Sequence, residues 1–158
     1  MDRRTVRFAL ATALIALAAV AVPLAPAQEK KKSGDKDHAH NAYADCAKAC
    51  AVCMLHCDAC QHHCARLVSE GKKDHLTSMR LCDDCGDVCA LAARITARQG
   101  PTAVAVCQTC ARVCDACATS CEKFPDDKHM AQCAKACRDC ARACRAMVEH
   151  AGPARKAG

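Results

Sequence analysis

Cysteine supplies eighteen of the 158 residues, and within four blocks it recurs at alternating steps of three and four. Cys46, Cys50, Cys53, Cys57, Cys60 and Cys64 form the first block, and Cys82, Cys85 and Cys89 the second. Cys107, Cys110, Cys114, Cys117 and Cys121 form the third, and Cys133, Cys137, Cys140 and Cys144 the fourth. A helix turns once every ~3.6 residues, so this spacing keeps the side chains on one face, in the a and d positions of a heptad. A seam that ordinarily carries Leu and Ile here carries sulfur. A buried free Cys behaves as a small hydrophobe whose chemistry usually accounts for its presence, so the seam points to something the sulfur binds.

The breaks between blocks are short. Helices are expected over about 42–70, 74–98, 102–123 and from 126 or 127 to 150. Asp74 is placed as the N-cap of the second helix, Gly100 as the C-cap that closes it, and Pro101 in the first turn of the third. Asp126 or Asp127 caps the fourth. Connections this short favour antiparallel neighbours. The expected fold is all-α, an antiparallel up-down-up-down four-helix bundle with a cysteine-lined core. Alanines such as Ala47, Ala49, Ala134 and Ala141 flank the seam and let the helices approach. Lys135, Arg138, Asp139, Arg142 and Arg145 read as a solvated face. Val52, Leu55 and Ala59 form an apolar stripe away from the seam, either scattered surface apolarity or a contact between bundles.

The chain opens with Arg3, Arg4 and Arg7, an apolar run over 8–22, and Ala25-Pro26-Ala27. This is the order of an export signal, cleaved after Ala27. The run is ~15 residues, short of the ~20 that a membrane span needs. The Arg3-Arg4 pair resembles a twin-arginine signal, used to export folded proteins, and ordinary basic signals also begin this way. Residues 28–41 read as a flexible polar linker and 150–158 as a loose tail. Removal of residues 1–27 leaves 20 basic against 16 acidic side chains, net +4. That charge is too mild for nucleic acid, with no aromatic platform to support it. No Ser-His-Asp set, phosphate loop or paired-acid motif supports an enzyme.

Eight Cys-x-x-x-Cys pairs account for sixteen of the thiols, leaving Cys82 and Cys107 outside them. Side chains at i and i+4 have Cβ atoms ~5–6 Å apart, too far for the ~3.8 Å of a disulfide. With metal–sulfur bonds of roughly 2.3 Å, the same pair can hold one ion between two sulfurs. Soft thiolates at low coordination number select Cu(I), whereas zinc wants four tetrahedral ligands. One Cu(I) per thiolate is also electrically neutral. The expected cargo is therefore multiple Cu(I) ions per chain. Disulfides between facing helices, a thiol/disulfide redox protein and metallothionein-like sequestration of Zn(II) are the alternatives.

These Cys-x-x-x-Cys repeats on four consecutive helices, with the export signal, resemble the bacterial copper storage proteins, and more closely their exported branch. The resemblance covers about 42–149. It implies a bundle that stores Cu(I) in its lumen, a homotetramer in the periplasm, and a role in supplying cuproenzymes or buffering copper toxicity. It carries the family's cysteine ligands onto all eighteen cysteines here.

Ions need a way into the lumen. The end formed by the first and third breaks gathers His62, His63, His75, Met79, His129 and Met130, of which His75, His129 and Met130 are assigned as additional metal ligands. Met130 lies three residues before Cys133, in register with the seam. His62 is expected on the surface. The opposite end carries His38, His40 and Met147 beside Cys46 and Cys107, and the sequence leaves open which end admits copper. Met54 and His56 sit at e and g, bordering the lumen or packed between helices.

Overall fold

The computed structural model describes residues 34–152, with side chains from Asn41 onward. The export signal lies outside the described residues, as do the side chains of His38 and His40 and positions 153–158. Four helices follow one another: α1 (Gly34–Ser69), α2 (Leu76–Ala97), α3 (Ala103–Cys121) and α4 (Lys128–Ala151). A single 3-10 turn, Lys73–His75, leads into α2. No described helix is long and apolar enough to cross a membrane.

The sulfur contacts themselves give the topology. Cys46 touches Cys107 and Cys53 touches Cys114, both with a sequence offset of 61, so α1 and α3 run parallel. Cys82 meets Cys133 and Cys89 meets Cys140, both with an offset of 51, so α2 and α4 also run parallel. Between α1 and α4 the partners move in opposite directions, from Cys46 with Cys144 to Cys57 with Cys133. This is the up-down-up-down bundle. α1 and α3 each pack against α2 and α4, while the two diagonals meet through side chains across the lumen.

Three local expectations are corrected. The linker was expected to run to residue 41, yet α1 begins at Gly34, eight residues before the first periodic position. Asp74 lies inside the 3-10 turn, and His75 occupies the N-cap of α2 without a side-chain bond. Asp127, by contrast, caps α4 as expected, its Oδ1 accepting from the backbone N–H of His129 and Met130 at 2.9 and 3.3 Å.

The third correction concerns how α1 and α2 end. Both use the same paired closure, in which one N–H reaches back three residues and the next reaches back five. At α1 these are Gly71 N to Val68 O and Lys72 N to Leu67 O, both 3.0 Å, with Gly71 at φ +90°. At α2 they are Gln99 N to Thr96 O and Gly100 N to Ile95 O, and the left-handed residue is Gln99 at φ +50°. Gly100 is thus one place beyond the cap. Its lack of a side chain serves close approach, since a Cβ there would stand 3.2 Å from Ile95 Cγ2. A left-handed conformation costs a non-glycine L-residue about 1–2 kcal/mol. Gln99→Gly is expected to raise stability by about 0.5–1 kcal/mol after the entropy of the unfolded chain is offset, read as a higher urea midpoint at unchanged slope.

Candidate metal centre

The core is made almost entirely of sulfur and small groups. All eighteen cysteines are free thiols and buried, none more than 1% exposed. The largest fully buried side chains besides them are Met130, Met147 and Thr96. The sulfurs are close enough to form one continuous chain. Starting from Cys107, it passes through Cys46, Cys144, Cys50, Cys140, Cys89, Cys114, Cys53, Cys57, Cys133 and Cys82 to Cys121, with no step longer than 4.0 Å. Cys85, Cys110, Cys117 and Cys137 branch from it. Cys60 and Cys64 join through a thioether, their Sγ atoms lying 3.5 and 3.4 Å from Met130 Sδ.

This geometry revises the picture of one two-sulfur site per helical turn. Cys53/Cys57, Cys85/Cys89 and Cys110/Cys114 stand 3.9–4.0 Å apart, but contacts between helices are equally short or shorter, down to 3.5 Å for Cys89 with Cys114. The sulfurs gather instead into overlapping sets of four drawn from several helices. Cys50, Cys110, Cys140 and Cys144 form one set, Cys57, Cys117, Cys133 and Cys137 another, and Cys60, Cys82, Cys121 and Cys133 a third, each with its atoms within 4.8 Å of one another. A disulfide needs ~2.05 Å between sulfurs, so none of these contacts is one.

Crowded thiols divide into two populations because neighbouring charges in a low-dielectric lumen cannot all be tolerated. Cys121 and the surrounding thiols hold Cys117 down to about 6. Cys144 is lowered to about 2, first by Cys107. Cys53, Cys85, Cys110 and Cys133 are also lowered, each chiefly by a neighbouring thiol. Others are pushed up, Cys137 and Cys82 chiefly by Cys117, and Cys140 chiefly by Cys110, with burial adding to each. The arrangement suits soft cations that replace protons on the sulfurs.

Of the other predicted ligands, Met130 is in the lumen, fully buried. His75 is buried at 7% exposure, its ring stacked on Phe124 with centroids 4.0 Å apart, and its Nδ1 has no hydrogen-bond partner among the described residues. His129 is exposed and does not reach a cysteine directly. Instead its ring stacks on His63 at 4.5 Å, and His63 Nε2 lies 2.7 Å from Asp127 Oδ2. Burial alone would raise the Asp127 carboxyl. The hydrogen bonds from His63 and from the N–H groups of Met130 and His129 outweigh it and keep Asp127 below the usual carboxylate range. His63 was placed at this end but not among the ligands. Its signal was its position directly before Cys64, opposite the capping Asp127. His62 is exposed, and Met54 and His56 are half-buried.

The family profile described as copper storage protein matches residues 14–149. An uncharacterized cysteine-rich protein of Bacillus subtilis (strain 168), YhjQ, is 40% identical over 107 residues, covering 67% of this chain and 89% of that protein. The Cu(I)-bound copper storage protein BsCsp3 of Bacillus subtilis superposes with a TM-score of 0.60 at 36% identity, covering 67% of this chain and 98% of that one. A cytosolic copper storage protein from Streptomyces lividans, carrying five coppers, gives a TM-score of 0.66 at 30% identity, with coverage of 72% and 97%.

The raised thiols set a sign for the pH dependence. The unfolded chain ionises its thiols near 9.0, while the folded lumen holds groups such as Cys57, Cys89, Cys137 and Cys140 protonated well beyond that. Their stability is present below pH 9 and lost as the pH rises through it. Urea unfolding of the reduced, metal-free protein should therefore show a midpoint that falls steeply above about pH 9.

Proposed function

The chain belongs to the copper storage protein family, and from that premise we propose how its lumen takes up and holds the metal. It stores copper as Cu(I), many ions per chain, bound by cysteine thiolates within the four-helix bundle. Copper here is cargo. The carrying observation is the unbroken run of sulfur contacts from Cys107 to Cys121, which gives an ion a next thiolate about 4 Å or less from each one it leaves. Each Cu(I) that displaces a proton cancels one thiolate charge, so filling relieves the repulsion that limits ionisation. We assign all eighteen cysteines as ligands.

Uptake at the histidine end follows a gradient of donor softness. His129 and His63 stand outermost, held by Asp127. His75 contributes a buried imidazole nitrogen with no hydrogen-bond partner among the described residues, and Met130 bridges to Cys60 and Cys64. Imidazole and thioether hold Cu(I) more weakly than thiolate and so pass it inward. The finer assignments rest on the sequence. The order of charged, apolar and small residues over 1–27 supports export to the periplasm, with cleavage after Ala27. Arg3-Arg4 supports the twin-arginine route. The exposed Val52 and Leu55, at 51% and 62%, border two grooves against α4 of about 340 and 300 Å³ and support assembly into a homotetramer. The store then supplies cuproenzymes or buffers toxicity.

Anaerobic titration of the reduced protein with Cu(I), in competition with a Cu(I) chelator, should give a capacity approaching the cysteine count. Saturation at one or two ions would sink the storage reading, and retention of Zn(II) against Cu(I) would favour general soft-metal sequestration. Loading should also raise the melting temperature, since a ligand at a thousand times its Kd adds about 4 kcal/mol per site. Met130→Leu conserves volume and should slow uptake while costing at most one or two ions of capacity; unchanged rates would remove Met130 from the route.

A further inference from the structure

The two ends of the lumen are built differently. At the histidine end the surface cavity, about 300 Å³, is lined by residues including Leu67, His75, Phe124 and Asp127, with no cysteine in its wall. At the opposite end a cleft of about 460 Å³ lies between α3 and α4, and Cys107 forms part of its wall together with Gln108, Arg112, Arg145 and Glu149. Cys107 has no solvent-exposed surface of its own, so the cleft ends against this residue.

What lies behind the cleft is a compact sulfur group. Cys46 Sγ stands 3.7 Å from both Cys107 Sγ and Cys144 Sγ. With bonds of roughly 2.3 Å, three sulfurs around one ion lie about 4 Å apart, so these spacings suit a three-thiolate site. The remaining helix, α2, contributes oxygen instead of sulfur. In the register of the α2 seam, Cys89 is followed by Ala92 and Thr96, and the Thr96 hydroxyl lies 3.2 Å from Cys107 Sγ. Three thiolates around Cu(I) carry two negative charges, and a hydroxyl donated to one of them offsets part of that. From Cys144 the sulfur chain continues directly to Cys50 and the interior.

The wall of the cleft has two guanidinium groups and one carboxylate. Arg145 pairs with Asp115, which it shares with Arg138. Arg112 donates to Thr109 Oγ1 and has no carboxylate partner among the described residues. A free guanidinium in a cleft that ends at a metal-binding thiol is suited to an anionic ligand that brings the metal with it.

We propose that this cleft is a second port of the store, where small anionic thiolate complexes of Cu(I) dock at Arg112 and Arg145 and exchange their ion onto Cys46, Cys107 and Cys144. The exchange moves no electrons. The two donor thiolates leave as thiols, taking the protons of two of the cysteines, while Cys144 binds as the thiolate that its neighbours already hold. Thr96 positions Cys107 for this exchange and is not itself a ligand. The inference rests on Cu(I) as the cargo.

The test uses the full chain, reduced and metal-free, mixed anaerobically with Cu(I) supplied either as its anionic glutathione complex or as its cationic acetonitrile complex. Loading is followed by copper–thiolate absorbance. Arg112→Glu should slow loading from the glutathione complex by about threefold or more at low salt, with the difference shrinking as salt is added. Loading from the acetonitrile complex and the final capacity should not change. Cys107→Ser should slow the glutathione-driven reaction selectively as well. Equal slowing with both donors, or an Arg112→Glu protein that loads from glutathione at the unaltered rate, would overturn the port. A protein that takes copper from neither donor would overturn the storage reading instead.

Discussion

Mutual repulsion among thiolates in a narrow lumen is the constraint on which the rest of this structure depends. Each of the eighteen thiols lies within about 4 Å of another sulfur and is shielded from water. Ionising all of them without a counter-charge would cost far more than folding supplies, so most protons stay on sulfur and a minority of thiolates is supported by S–H donors. A monovalent soft cation is the natural replacement for those protons, because it restores neutrality while keeping every sulfur coordinated. Capacity and pH dependence have this common origin.

The same crowding explains the composition of the bundle. A seam of cysteine is slimmer than a seam of leucine, and the diagonal contacts Cys53–Cys114 and Cys82–Cys133 show that sulfurs from opposite helices meet across the axis. Alanines between the seams, including Ala111, Ala118 and Ala141, are buried and keep the helices close. Bulkier groups appear only at the ends. Met130 occupies the histidine end and Met147 the other, both fully buried. Outside, Arg138 joins α4 to Asp115 and Glu122 of the α3 region, an exposed network of the kind that adds little stability and mainly fixes alignment. Few large hydrophobic side chains are fully buried, and a metal bound only by the folded state adds to its stability.

Much of this was legible from the spacing of a single residue type. Alternating steps of three and four specify a helical face, four such blocks specify four helices, and short breaks specify antiparallel neighbours. Asp127 was readable as a cap because a side-chain oxygen just before a periodic segment has one obvious use. Asp74 failed by the same rule, since a 3-10 turn intervened and moved the helix start past it. Gln99 failed because glycine one place later looked like the better left-handed residue, whereas the contact with Ile95 required glycine there. The early start of α1 was invisible because Gly34 to Asn41 has no apolar period, and helix can extend outward from a packed segment without one.

The sequence by itself determined that sulfur faces inward on four helices, because the position of a side chain around a helix follows from its spacing along the chain. It also determined the preference for a soft, low-coordinate cation, because that follows from ligand chemistry alone. Only the tertiary structure decided how the sulfurs are grouped. Sets of four arise from helices packing in register, so each set draws on residues far apart in the chain and no local pattern announces it. For the same reason the tertiary structure alone placed His63 against Asp127, set Thr96 beside Cys107, and distinguished an end lined by His75 from one where a cleft ends against Cys107.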